Sequence, residues 1–128
     1  MNVAIAMIFA AAGLMNVAQA TPSPTSTPNP YVDGPTVYAQ HCLACHGDQG
    51  QGLAGVPQLS GNAAVTANDP HNVITIIKHG KGAMPAFDAR LTDIEIAAVA
   101  TYIRTAWGNA GTSVAPYQVD AVHRDMRP

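Results

Sequence analysis

Three stretches of this chain carry apolar residues at helical spacing, and glycine- or proline-rich segments separate them. The first begins at Asp33-Gly34-Pro35, with proline in the first turn, where its missing donor costs nothing. Val37, Tyr38 and His41 follow at helical spacing and lead directly into Cys42. The second runs from Asp69 as N-cap, through Pro70 as first helical residue, to Gly80 just past its end. Val73, Ile74, Ile76 and Ile77 form its apolar face, and Lys78 and His79 fall in the last turn, where they suit the helix dipole. The third is the most strongly signalled. Thr92-x-x-Glu95 reads as a capping box, with Leu91 and Ile96 positioned as a hydrophobic staple. Ile96, Val99, Ala100, Ile103, Ala106 and Trp107 continue at i, i+3, i+4 spacing until Gly108 ends the helix. Small Ala97 and Ala100 allow close approach by the first helix, with Tyr38 and Tyr102 near the crossing.

The remaining segments are irregular. Gly47 to Gly61 is dense in glycine, which predicts a tight path close to something flat. Gly80 to Phe87 is a non-helical loop. After Gly108 the pattern weakens, so residues 109–128 are expected to form a weakly structured tail, with a short turn of helix from Pro116 through Val119 and Val122 packed loosely or not at all.

The N-terminus changes the picture of size. Residues 1–20 are nearly all apolar up to Leu14 and end in Ala18-Gln19-Ala20, the small-x-small form of a signal-peptidase site, so they read as a secretory signal peptide. They lack the Lys or Arg that usually opens such a signal; a buried N-terminal helix is the competing reading. A retained anchor would need an apolar run of roughly 20 residues. Residues 21–30 alternate Pro with Thr, Ser and Asn and read as an extended, solvated linker. The folded domain is therefore expected over 31–108, small enough to bury only a limited core. The net charge of −2, without any Lys/Arg cluster, excludes a nucleic-acid footprint.

Candidate chemistry centres on Cys42-Leu43-Ala44-Cys45-His46. Cys-x-x-Cys-His is the signal for c-type haem attachment, in which two thiols take the haem vinyl groups as thioethers and the histidine becomes an axial iron ligand. In a turn or helix, positions i, i+3 and i+4 share a face and can meet one macrocycle. A thioredoxin-type redox pair would want a βαβ context, and no strand alternation flanks this one. A zinc site would need a fourth ligand, for which only an isolated histidine is available. A simple disulfide leaves His46 unexplained. His41 beside the motif reads as solvated. Met84 lies 38 positions after His46 in a glycine-rich loop and precedes Pro85, so it can cross to the opposite haem face as sixth ligand. His79 is its rival, followed by His71, His123 and Met126.

A leading helix, Cys-x-x-Cys-His-Gly, Val56-Pro57-Gln58-Leu59-Ser60-Gly61, Gly82-Ala83-Met84-Pro85-Ala86-Phe87 and Leu91-Thr92-Asp93-x-Glu95, in that order, resemble the class I cytochrome c family from about Tyr31 to Trp107. The resemblance implies an all-α fold of three to four main helices wrapped around one covalent haem c. It implies that Pro57 offers its carbonyl to the free ring nitrogen of His46 and that Leu59 lines the haem pocket. Among relatives, the chain looks most like the single-haem domains in cytochrome subunits of bacterial alcohol and aldehyde dehydrogenases, including the Trp107-Gly108-Asn109 ending. It departs from mitochondrial-type members in lacking their lysine ring, since Lys78 and Lys81 are its only lysines. Apolar docking around an exposed haem edge is expected instead.

Together these features predict a monomeric, exported, periplasmic one-electron carrier and not an enzyme. Cys42 and Cys45 anchor the haem, His46 and Met84 ligate iron, and redox proteins (a dehydrogenase, oxidase or reductase) are the partners; the chain meets a membrane only if its N-terminal segment is retained. The alternatives are a haem enzyme or gas sensor with an open sixth position, for which His79 is the candidate polar group, and a tethered subunit of a dehydrogenase or oxidase with the Pro/Thr linker as its leash if the N-terminus is retained.

Overall fold

The computed structural model describes residues 32–125. The expected signal peptide 1–20 and linker 21–30 lie outside the described residues, as do Met126 and the side chain of His123. Six helical segments follow one another: α1 (Gly34–His41), α2 (Leu43–His46), α3 (Ala63–Thr66), α4 (His71–His79), α5 (Asp93–Thr105) and α6 (Pro116–Asp125). Among the described residues the only extended pairing is an isolated bridge between Lys81 and Met84.

The crossing of α1 and α5 is the centre of the packing. At Gly34 an added Cβ would stand 2.4 Å from the Ala98 carbonyl oxygen and 2.9 Å from Tyr102 Cβ, so glycine lets the two backbones meet. Tyr38, Tyr102 and Trp107 gather beside this crossing as three mutual edge-to-face pairs, with ring centroids 5.2–5.3 Å apart. Ile96, Ala97, Val99, Ala100 and Ile103 bury the inner face of α5. The capping box forms: Glu95 N donates to Thr92 Oγ1, and Thr92 N donates to Glu95 Oε2 at 2.7 Å.

Several boundaries differ from the sequence expectation. α5 ends at Thr105, because Trp107 turns to φ 54° and Gly108 to φ 80°. α4 starts one residue later than expected, with Asp69 Oδ1 accepting from His71 N at 2.9 Å. Val73, Ile74 and Ile77 are buried as the apolar pattern requires. Lys78 is the surprise. It is 1 % exposed, and its ammonium lies 3.1 Å from Asp88, 3.2 Å from Asp93 and 3.4 Å from the Val119 carbonyl, so it joins α4, α5 and α6 instead of standing in solvent at a helix end. Arg104 is likewise buried, donating to Val65 O, Thr112 O and Thr112 Oγ1.

The expectation of a weakly structured tail over 109–128 is corrected for its described part. α6 is ten residues long, and Val119 and Val122 are 0 % and 1 % exposed within the same core as α4 and α5. Val114 is buried beside them, its N–H donating to Thr101 Oγ1. The tail's low density of apolar residues hid this, since three valines suffice when all three face inward.

Candidate functional site

α1 breaks for one residue at Cys42 (φ −120°, ψ −35°), and α2 resumes the helical path. Cys45 N and His46 N both donate to the Cys42 carbonyl, at 3.1 and 2.9 Å. The five-residue motif is thus a helical turn whose first, fourth and fifth positions share a side. Both thiols are free; Cys42 is half-buried against the core and Cys45 is exposed. Burial, and then the neighbouring Cys45, pushes the Cys42 thiol up to about 11, so it stands as a neutral thiol at physiological pH.

His46 is buried, and its Nδ1 lies 3.1 Å from the Pro57 carbonyl. A carbonyl can only accept, so Nδ1 carries the proton and Nε2 keeps its lone pair for a metal. The segment between these partners, Gly47 to Gly61, is knit by its backbone: Gly52 N donates to His46 O at 2.8 Å, and Leu59 N and Ser60 N both donate to Gly50 O at 2.7 and 3.0 Å. Gly50 lies under the Trp107 ring, where a Cβ would come within 2.5 Å of it. Leu59 is half-buried against the core.

Met84 comes from the loop after α4. Its backbone exchanges hydrogen bonds with Lys81 at 3.0 and 3.1 Å, and it packs, half-buried, against the core cluster that Cys42 and Leu59 also touch. Phe87 anchors the loop: it is buried, and its N–H reaches Ile77 O and Lys78 O at 3.1 Å. The Phe87 ring also lies edge-on to His41, with centroids 6.0 Å apart, which brings the methionine loop against the end of α1. His41 is exposed but not free of contact. His79 and His71 are both exposed. Among the described residues no three His, Cys, Asp or Glu side chains converge as a metal cage requires.

Two side chains that sequence reasoning assigned no role also bear on the site. Asn109 is buried and donates to Leu59 O and Ile103 O while accepting from Gly61 N; Trp107 Nε1 donates to Asp48 O at 3.1 Å. The available signals were the Trp107-Gly108-Asn109 ending noted in the resemblance and a polar residue directly after a helix-ending glycine.

Residues 29–103 match the family described as cytochrome c oxidase, cbb3-type, subunit III. The chain belongs to this family of cytochrome c domains. Its similarities run to several kinds of cytochrome. The cytochrome c subunit of a quinone alcohol dehydrogenase from Gluconacetobacter polyoxogenes is 34% identical over 90 residues, 61% of this chain but 19% of that subunit. Cytochrome c6 of Leptolyngbya boryana is 42% identical over 73 residues, covering 55% of this chain and 85% of that protein. Among solved structures, the KustC0563 c-type cytochrome superposes with a TM-score of 0.52 at 26% identity, over 57% of this chain and 95% of that one. The fold is the all-α cytochrome c fold, and membership carries covalently bound haem c. The cytochrome's donor set fits that group: two free thiols three residues apart on one helical turn, and beside them a buried imidazole whose proton is fixed on the nitrogen facing Pro57. Electron transfer is the activity this family membership supports.

Proposed function

We propose that this cytochrome is a periplasmic one-electron carrier whose single haem iron is held by His46 and Met84. It passes electrons between a dehydrogenase or respiratory complex and a terminal oxidase or reductase. The observation that carries the reading is the Met84 loop, bridged at Lys81, anchored by buried Phe87 and brought against the Cys-x-x-Cys-His helix through His41. When bound, the haem supplies a ferric/ferrous couple. The chain's own part is to keep two axial donors in place so that reorganisation is small and no substrate reaches the metal. Cys42 and Cys45 tether, His46 ligates through Nε2, Pro57 orients that ring, Leu59 excludes water, and a Met84 thioether favours a high potential.

Export is supported by the two cysteines, both consumed by haem, and by the apolar N-terminus ending in Ala18-x-Ala20. Partner choice is supported by the relatives, one of them a dehydrogenase subunit, and by the family description, which is that of an oxidase subunit. With Lys78 buried, Lys81 is the one lysine left exposed, whereas Leu43 within the motif and Leu53 in the loop after it are 40% and 52% exposed. Docking of this monomer is therefore apolar in character.

The test is the optical spectrum of the haem-loaded protein, ferric and ferrous, with and without carbon monoxide. A low-spin spectrum with the weak far-red sulfur-to-iron band, lost in Met84→Ala, and no carbon monoxide shift is expected. A high-spin spectrum or ready carbon monoxide binding would refute Met84 ligation and favour an open-site haem enzyme or sensor.

A further inference from the structure

The end of α5 reaches back across the molecule and grips both arms of the loop that carries Pro57. Trp107 has a left-handed backbone (φ 54°), which a bulky residue keeps only where its surroundings hold it. Gly108 follows at φ 80°. This reversal sends two side chains to different parts of one loop. The indole N–H donates to Asp48 O, two residues after His46, and the indole ring covers Gly50. The Asn109 carboxamide goes to the other arm. Its Oδ1 accepts from Gly61 N at 2.7 Å, and its Nδ2 donates to Leu59 O at 3.1 Å and Ile103 O at 2.7 Å. Both amide hydrogens and the oxygen are in use, so the group has a single fitting orientation.

We propose that this Trp107–Asn109 hook sets the hydrogen bond between His46 and Pro57, with Asn109 as a positioning residue for the imidazole. The inference rests on the reading of His46 as axial ligand. The loop from Gly47 to Pro57 contains neither helix nor strand, and Pro57 has no N–H with which to fix itself. Besides the Gly52 N–H bond to His46 O inside the loop, the distance from His46 Nδ1 to Pro57 O depends on two anchorages: Asp48–Gly50 behind the histidine and Leu59–Gly61 beyond the proline. The backbone bonds from Leu59 and Ser60 to Gly50 tie these arms to each other. The hook ties both to the core from one helix end, in which Ile103 and Arg104 are buried, and it adds to the Tyr38 hydroxyl bond at Gly47 O and to the packing of Leu59. Hydrogen bonding at Nδ1 raises the basicity of a ligating imidazole, so a residue 63 positions from His46 in the chain adjusts the iron's donor.

The experiment uses the full-length, haem-loaded, reduced protein and proton nuclear magnetic resonance. Solvent exchange of the His46 Nδ1 proton is compared with exchange of the Ile77 backbone amide in α4, a reporter of global opening. In Asn109→Ala the His46 proton is expected to exchange roughly tenfold faster or more while Ile77 is unchanged, the pattern of local release. Unaltered His46 exchange overturns the proposal. So does equal acceleration at both sites, which is what a purely structural Asn109 would produce. Should Asn109→Ala fail to take up haem, Trp107→Phe removes the N–H and keeps an aromatic ring; faster exchange confined to His46 supports the hook, and no change overturns it. The ligand reading is checked in the parent spectrum. Ring protons of His46 not displaced by the haem ring current would sink that reading, and the inference with it, before any variant is compared.

Discussion

The Tyr38 hydroxyl donates to Gly47 O at 2.6 Å in a buried setting, tying α1 to the residue after His46. Burial is the main cause that pushes its pKa up to about 12. Between pH 10 and 12 the unfolded chain releases this proton and the folded chain keeps it, so stability is full below about pH 10 and falls as pH rises toward 12. The loss is at most about 2–3 kcal/mol, by the usual worth of a pKa unit. Tyr38→Phe is expected to start about 1 kcal/mol less stable at neutral pH, having lost the hydrogen bond. It should lose less than the parent over that alkaline window, as urea titrations at pH 9 and 11.5 would reveal. Tyr38 was legible as a crossing residue because its i, i+4 neighbours are informative. Lys78 and Arg104 were not. A charge is buried only where partners supply its hydrogen bonds, and those partners, Asp88, Asp93 and Val119 O for one and Val65 O and Thr112 for the other, come from other elements.

At the scale of elements, helices with local punctuation were readable and those without were not. The capping box at Thr92 announced α5, and its geometry is present in full. Hydrogen bonds from Thr92 hold the Glu95 carboxyl below its usual pKa, so this cap is intact above the ordinary carboxylate range and is lost in acid. Thr92→Ala is expected to cost about 1 kcal/mol at neutral pH, measured by thermal unfolding. α3 escaped notice because four residues capped by Asn62 show no period. The α1–α5 crossing was expected from Ala97 and Ala100, but the position where a missing side chain lets the backbones meet is Gly34, against Ala98 and Tyr102. Gly34→Ala adds a methyl against the Ala98 carbonyl, and the helices must separate to take it. Although alanine is the better helix former, we expect a net loss of about 1–3 kcal/mol, read as a lower urea midpoint. No loss at all would mean that the crossing is looser than these distances indicate.

For the molecule as a whole, closure comes from the segment beyond the family match, which ends at residue 103. α6 lays Val119 and Val122 against α4 and α5, and the Val119 carbonyl accepts from Lys78. Val119→Ala is expected to cost about 2 kcal/mol, in keeping with methyl deletions at sealed sites. The haem-loaded variant should melt earlier with an unchanged far-red band, because the Met84 loop hangs on Phe87 and Lys81 rather than on α6. Loss of that band along with stability would show that α6 also holds the methionine loop.

Local chemistry was determined by the sequence alone: Cys-x-x-Cys-His can attach haem through groups within five consecutive residues, caps and prolines punctuate their own helices, and the methionine loop is marked by its glycines. These signals are short-range, so no fold is needed to see them. Tertiary structure decided which charges are sealed inside, that the tail belongs to the core, and that the end of α5 reaches the loop carrying Pro57. Each of these depends on groups 8 to 59 positions apart in the chain, whose pairing arises only when the helices pack.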